Sequence, residues 1–150
     1  MDSSRFSFRP ATRADLPVIL ELYAHLGYPG ETPLDAPAAQ AIWERISATP
    51  GYTIWLVEES GRAIATYTLV ILANLGHRGR PSSVVENVVV EPDRRGGGLG
   101  KAMMAHAAER CREAGCYKLA LSSNRKRTEA HRFYESLGFE RHGYSFVIDP

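Results

Sequence analysis

Residues 84–114, VVENVVVEPDRRGGGLGKAMMAHAAERCREA, decide the fold of this chain. They open with a run of valines, and β-branched residues of this kind fit a pleated, mostly buried strand. Pro92 ends the strand. From Ala102 onward the stretch is rich in alanine and methionine, which are strong helix formers. The glycines of residues 95–101 therefore lie in a turn that joins a strand to the N-terminus of a helix.

The turn itself has the features of an anion-binding site. Glycine has no Cβ, so a ligand can approach the backbone closely, and the first N–H groups of a helix have no intrahelical partner. The positive end of the macrodipole, Arg95 and Lys101 add favourable charge. A Walker A loop is excluded by Arg95 and Ala102, and a dinucleotide fingerprint by Lys101 or Met103 at its third glycine. A glycine turn that binds nothing remains an alternative at this point.

The composition limits the classes of partner. We expect one domain over residues 1–150, since a chain of 150 residues can bury a sizeable core. A formal net charge of +1 gives no electrostatic footprint for nucleic acid or an anionic membrane. Neither the cysteines, Cys111 and Cys116, nor the histidines have metal-ligand spacing, so no metal is expected. We find no signal peptide and no run that would span a bilayer, and free thiols fit the cytoplasm.

The rest of the chain alternates strand and helix patterns in the order β-α-α-β-β-β-α-β-α-β. Besides the central strand and helix, the predicted elements are strands at 6–9, 52–58, 62–72, 117–121 and 139–148 and helices at 16–26, 38–49 and 126–137. Residues 59–61 read as a hairpin turn. The proline-rich residues 28–37 form a loop, which is either a substrate lid or a plain surface connection.

The motif Arg95-x-x-Gly98-x-Gly100 after a valine-rich strand, together with this element order, resembles the GNAT superfamily of acyl-CoA-dependent N-acetyltransferases. The resemblance covers nearly the whole chain and is firmest over residues 86–139. It implies an α/β GNAT fold, with a mixed central sheet of about six to seven strands flanked by about four helices. It also implies that acetyl-CoA binds along the backbone of Val88, Val89, Val90, Arg95, Gly96, Gly97, Gly98, Leu99, Gly100 and Lys101.

A second motif, LSSNRKRTEAHRFYESLGF at residues 121–139, carries the predicted proton donor. Helical spacing alone favours Tyr134 as an aromatic core residue. The resemblance instead implies that Tyr134 faces the sulfur of CoA, where a phenol with an ordinary pKa near ~10 gives a proton to the departing thiolate. It also implies that Asn124 either hydrogen-bonds the cofactor or orders the turn before the helix.

An amine must lose a proton before it attacks a thioester, and Glu86 is the candidate base, directly or through a water. We place Glu86 at the start of the fourth strand and expect it to be buried between strands. The alternative is a strand-end carboxylate paired with an arginine. In this family a backbone N–H near the Val88 position stabilises the oxyanion, and the acetyl group passes directly to the amine in a ternary complex.

The expected acceptor is a primary amine of a small molecule. The C-terminal part is similar to aminoalkylphosphonate acetyltransferases, and GCYK at residues 115–118 to glucosamine-phosphate acetyltransferases, so the acceptor could carry a phosphate or phosphonate. The cations that could recognise it are Arg78, Arg80, Arg125, Lys126 and Arg127. Lys126 and Arg127 could equally hold the 3′-phosphate of CoA, and some of the five could simply face solvent. A non-catalytic CoA-binding regulatory module and a peptide or protein acetyltransferase are the alternatives. A homodimer formed through the predicted last strand, 139–148, is also expected.

Overall fold

The structure is a computed structural model that describes residues 5–28 and 30–150. By contact its residues group into two units, one ending at Ala120 and the other beginning at Leu121. The first unit holds the sheet and three helices: α1 at Leu16–Tyr23, α2 at Ala36–Ser47 and α3 at Leu99–Glu113. The second unit holds α4 at Thr128–Ser136. Four helices are described, as the sequence predicted.

The sheet is mixed and its strands are ordered as they follow in the chain. The strands are β1 at Ser7–Pro10, β2 at Tyr52–Glu59, β3 at Arg62–Leu72, β4 at Ser82–Val90 and β5 at Lys118–Ala120. The first four pair antiparallel, and β5 pairs parallel to β4 because α3 carries the chain back across the sheet. The glycine turn and α3 thus connect the two parallel strands. The strand, turn and helix of residues 84–114 were predicted from the sequence as one unit.

The hairpin between β2 and β3 turns at Ser60 and Gly61, whose φ angles are 52° and 77°. Two successive residues with positive φ are typical of the tight turns that match the twist of the flanking strands. The predicted hairpin is therefore confirmed.

The helices of the first unit cover opposite faces of the sheet. Ile19 and Leu22 of α1 pack with Ile54 and Leu56 of β2 in one core cluster. Trp55 lies between those two strand residues and contacts His106 of α3 instead. Because successive side chains in a strand point to opposite faces, α1 and α3 lie on different sides of β2.

The prediction of a last strand at residues 139–148 is wrong. Residues 139–150 form no strand, so the sheet has five strands where about six to seven were expected. The alternating pattern is present, but a strand forms only where a neighbour completes its backbone hydrogen bonds. In this segment Tyr144, Phe146, Val147 and Ile148 are 86–96% exposed.

Candidate active site

The central feature of the site is a β-bulge in β4. Thr66 is opposite Val89 and Thr68 is opposite Glu86, so two residues of β4 face the single residue between those threonines. Asn87, the first of the two, has a φ of 50°, a left-handed conformation that asparagine tolerates better than most residues. The bulge locally interrupts the antiparallel ladder and turns the backbone after Asn87.

The pairing of β4 with β5 ends before the bulge. The two strands pair only where Ser82–Val84 faces Lys118–Ala120. One edge of β4 pairs with β3, and the other edge faces β5. On the edge that faces β5, no strand in the described part of the chain pairs with Val88, Val89 or Val90. Their backbone groups on that side are the ones an extended ligand would use as an added strand.

The turn after β4 leads into α3 through two left-handed glycines. Gly96 has a φ of 83°, and Gly98, the N-cap of α3, has a φ of 81°. No side chain caps the helix and no acidic residue lies in its first turn. The first intrahelical bond is donated by Ala102 N to Gly98 O at 3.0 Å. The N–H groups of residues 99–101 therefore point out of the helix without an intrahelical acceptor, which fits a phosphate or pyrophosphate.

Two of the three basic residues around this turn remain available to an anion. Arg94 forms an ion pair with Glu59, which fixes the short 3₁₀ helix at Pro92–Arg94. Arg95 and Lys101 are exposed, and the described residues place no ion pair on either. The sequence could not separate Arg94 from Arg95, because the partner of Arg94 lies in a distant strand.

Glu86 lies in the middle of β4, directly across from Thr68, rather than at the start of the strand. Its side chain is exposed, so the burial expected from the sequence is wrong. Within the described residues it forms no ion pair with an arginine, which was the alternative interpretation. The carboxylate is adjacent to the bulge and open to solvent, so water can reach it.

A group of polar residues around the bulge was missed by the sequence analysis. The hydroxyl of Tyr28 donates to Asn87 Oδ1 at 3.2 Å. Burial raises the pKa of Tyr23, and nearby Thr68 and Asn87 partly oppose that shift. The sequence did contain a signal for the bulge, because Asn87 is a turn-forming residue inside a run of strand-forming valines. The two tyrosines gave no signal, because the positions of Tyr23, at the end of α1, and of Tyr28, in the chain after it, follow from tertiary packing.

In the second unit, Tyr134 is half-buried and its ring lies against Phe133 and Phe139, with centroids 5.3 and 5.7 Å away. Burial raises the pKa of Tyr134 above 10, while the charge of Arg127 partly opposes the rise. The expectation of an ordinary pKa is therefore wrong. The phenol is neutral at pH 7 by a wider margin than expected and can donate a proton.

Asn124 orders the turn before α4, one of the two roles expected of it. Its Oδ1 accepts from Lys126 N at 2.9 Å, and its carbonyl accepts from Arg127 N at 2.9 Å. The same carbonyl lies 2.9 Å from Nε2 of His131. Side-chain bonds to the backbone two residues on are the usual way in which asparagine stabilises a turn.

The two arginines of the loop between β3 and β4 differ in the contacts that their side chains make. Arg80 donates to the carbonyls of Gly115 and Cys116 at 3.5 and 3.2 Å, so its guanidinium ties this loop to the chain before β5. Arg78 has a φ of 60° and makes no described ion pair. Of the five cations that the sequence analysis considered for binding an anion, Arg80 is thus the one whose side chain holds two parts of the described backbone together.

Two further findings concern metals and membranes. Across residues 5–28 and 30–150, no group of three or more His, Cys, Asp or Glu side chains is placed to hold a metal ion. In the same ranges, no helix has the length and apolar character needed to cross a bilayer.

Comparison with known proteins agrees with this geometry. Residues 17–139 match the acetyltransferase (GNAT) family. A glucosamine 6-phosphate N-acetyltransferase of Trypanosoma brucei brucei is 38% identical over 92 residues, 61% of this chain and 60% of that protein. An aminoalkylphosphonate N-acetyltransferase of Salmonella typhimurium is 33% identical over 92 residues, 61% of this chain and 59% of that protein. The matched region thus spans about 60% of the length of these curated relatives.

A solved structure from Agrobacterium tumefaciens, assigned as an acetyltransferase, is 40% identical to this chain. It superposes with a TM-score of 0.90, covering 96% of this chain and 99% of that one. The family match includes the bulged strand, the glycine turn and α4. The chain therefore belongs to the acetyltransferase (GNAT) family.

Proposed function

We propose that this protein is an acetyl-CoA-dependent N-acetyltransferase that moves an acetyl group directly to a primary amine of a small molecule. The observation that carries the proposal is the continuous path from the bulged end of β4, which β5 does not pair with, to the uncapped N-terminus of α3. That path offers strand-edge backbone groups and then free helix N–H groups, in the order in which the pantetheine and pyrophosphate of CoA would need them. We propose that residues 1–150 form one such domain, which the family match across both units supports.

The cofactor would be held mainly by backbone. Val88, Val89 and Val90 would pair with the pantetheine, and the turn from Arg95 to Lys101 would hold the pyrophosphate through its N–H groups. Asn124 would contribute from the turn before α4. Bound acetyl-CoA would supply the acetyl thioester, and the chain would supply position and proton transfer. Holding the two reactants together is itself a large contribution to rate.

Glu86 is proposed to take the proton from the acceptor amine, through a water because its carboxylate is exposed. The amine nitrogen then bonds to the acetyl carbon while the carbon–sulfur bond breaks. The backbone N–H near Val88 would stabilise the negative charge on the carbonyl oxygen. Tyr134 would give its proton to the CoA thiolate and regain one from solvent. No acyl-enzyme is formed, so Cys111 and Cys116 need no part in the step.

We propose that the acceptor carries a phosphate or phosphonate group, as the acceptors named for two relatives do. Arg78 and the cluster 125–127 are the basic residues available to bind it, because Arg80 is already engaged with backbone carbonyls. An arginine fork binds such an oxyanion in a bidentate manner and is the better recognition element than lysine.

The exposed C-terminal segment supports a homodimer. Phe146 and Ile148, 92% and 86% exposed, would be covered if the segment paired with a second copy. Sedimentation velocity should give a dimer, and Phe146→Glu should give a monomer if the segment forms the interface. A dimer unchanged by Phe146→Glu would contradict this proposal.

We also propose a cytoplasmic location, where the two free cysteines would stay reduced.

Release of free CoA from acetyl-CoA over a panel of amines tests the proposed function. The panel should include amino-sugar phosphates, aminoalkylphosphonates, polyamines, amino acids and short peptides, with a blank that lacks amine. Turnover of a small amine would support the proposal. Acetyl-CoA binding without turnover of any amine would contradict it and favour a non-catalytic module, and turnover of peptides alone would favour a peptide acetyltransferase.

Two variants then test the assigned roles. Tyr134→Phe should lower kcat by about 10²-fold and leave the Kd of acetyl-CoA within about two-fold, since only proton donation is lost. Glu86→Gln should lower kcat/KM and change its pH profile, because the proposed base is removed. Full activity of Tyr134→Phe across pH would refute the donor assignment, and an unchanged profile for Glu86→Gln would refute the base.

A further inference from the structure

We infer that Asn87, Tyr28 and Tyr23 form a neutral hydrogen-bonding wall on the amine side of the site, which selects primary amines that bear hydroxyl groups. An amino sugar fits this wall, whereas an aminoalkyl chain without hydroxyls leaves it unused. The inference rests on the proposed function, because it concerns the acceptor of the same reaction. It concerns residues of the first unit alone.

The backbone at Asn87 holds its side chain in place. Asn87 has a φ of 50° inside a strand, a conformation that persists only where the surrounding structure imposes it. It follows Glu86 directly, so the amide and the proposed base belong to the same bulge. Strained residues of this kind concentrate at functional sites, and here the strained residue carries a polar amide and follows the proposed base in the chain.

The hydrogen bond from Tyr28 determines what the amide offers. Tyr28 donates its hydroxyl hydrogen to Asn87 Oδ1, at 3.2 Å. The amide oxygen of Asn87 is then engaged, so its nitrogen is the group that can donate, and the Tyr28 oxygen retains lone pairs that can accept. Tyr28 is 51% exposed, so this face of the pair is open to a ligand. A hydroxyl group, which both donates and accepts, matches that combination.

A buried hydroxyl group, that of Thr68, lies next to the same wall. Thr68 is fully buried, and its hydroxyl has no hydrogen-bond partner of ordinary geometry in the described residues. It lies directly across the ladder from Glu86, and the Tyr23 phenol is its polar neighbour. Because Thr68 has no exposed surface, the polar atom that its hydroxyl meets is the Tyr23 phenol, which keeps this end of the wall polar and uncharged.

The charge of the wall also distinguishes between acceptor classes. Its side chains are an amide, two phenols and a hydroxyl, next to the single carboxylate of Glu86. In the described chain no lysine or arginine forms a hydrogen bond or ion pair with any of them. Within the wall itself, a phosphonate two carbons from the amine would lie close to the Glu86 carboxylate and be repelled by it. The phosphate of an amino-sugar 6-phosphate lies farther from the amine, so this repulsion is weaker.

The test uses four amines that separate the hydroxyl and anion contributions: glucosamine, glucosamine 6-phosphate, 2-aminoethylphosphonate and butylamine. The variants are Tyr28→Phe, which removes one hydroxyl, and Asn87→Gly, which keeps the positive φ and removes the amide. Tyr117→Phe is the matched control, because Tyr117 stacks on His77 and makes no described hydrogen bond through its hydroxyl. kcat and KM are measured for each amine, and the Kd of acetyl-CoA by titration.

The wild type should favour both amino sugars over the other two amines. Tyr28→Phe and Asn87→Gly should each raise KM for the amino sugars about 5- to 10-fold, the usual effect of one lost hydrogen bond. They should leave KM for butylamine and the Kd of acetyl-CoA unchanged. A wild type that favours 2-aminoethylphosphonate, or variants that raise KM for all four amines equally, would overturn the inference.

Failure of the proposed function can be separated from failure of the inference. If the wild type releases no CoA with any amine, calorimetry with glucosamine in the presence of CoA decides between them. Binding by the wild type that is lost in Asn87→Gly would support the hydroxyl-selective wall without turnover. Absence of glucosamine binding to the wild type would overturn it.

Discussion

His106 should make the stability of the first unit fall between pH 7 and pH 5. It lies on α3 and stacks on Phe8 of β1 with centroids 4.3 Å apart and planes 10° apart. Trp55 meets it edge-on at 4.6 Å, and its Nδ1 lies 2.6 Å from the hydroxyl of Tyr67. The ring therefore ties the helix that begins at the glycine turn to three strands of the sheet. Protonation would place a positive charge among these aromatic rings.

Burial, with a smaller contribution from Arg110, lowers the pKa of His106 from 6.5 to about 4. Because the folded pKa is below the unfolded one, the unfolded chain takes up the proton first as the pH falls. Stability is therefore lost below the unfolded pKa of 6.5 and continues to fall until the folded pKa is reached. The full shift predicts about 2 kcal/mol lost at pH 5, and partial exposure of the ring reduces that to about 1–2 kcal/mol.

Urea unfolding monitored by tryptophan fluorescence at pH 7, 6 and 5 measures this loss. His106→Phe keeps the stack on Phe8 and removes the titrating group, so its free energy of unfolding should change little over this range. It should nevertheless be about 1 kcal/mol less stable at pH 7, because the Tyr67 hydroxyl loses its partner. His25→Gln, at an exposed position, is the control and should behave as the wild type. An equal pH slope in His106→Phe and the wild type would refute the reasoning.

Three other predictions concern backbone geometry. Gly51→Ala should cost more than about 2 kcal/mol of unfolding free energy, because its Cβ would lie 2.1 Å from a carbonyl oxygen of β3; Gly61→Ala, at the same φ of 77° in open space, should cost about 1 kcal/mol, and equal losses in urea would contradict this. Gly98→Asp should weaken acetyl-CoA binding about 10-fold or more, measured by calorimetry, because it adds negative charge at the N-terminus of α3. Gly115→Asp, at the opposite end of that helix, should leave binding unchanged, and similar losses in both would show that strain alone is responsible. Asp35→Ala should cost about 1 kcal/mol in thermal unfolding, since Asp35 caps α2 by accepting from a backbone N–H at 2.8 Å, and an unchanged midpoint would refute the cap.

The sequence by itself determined the local elements and the turn between them. Valine runs, a proline stop, glycines and an alanine-rich helix act within a few residues, so the strand, turn and helix of residues 84–114 could be predicted, as could the hairpin at Ser60–Gly61. The motif around Arg95 and Gly98 was enough to indicate the family. The order of elements followed from the same local patterns and failed only at the last strand.

The tertiary structure decided what depends on neighbours distant in the chain. Burial and pairing are set by which strand lies alongside, so the exposure of Glu86, the ion pair of Arg94 and the missing strand at 139–148 could not be predicted from spacing. The bulge at Asn87 needed the register of β4 against β3, which a slip of one residue would change. The bond from Tyr28 to Asn87 joins residues 59 positions apart, and the packing of the chain after α1 against β4 brings them together.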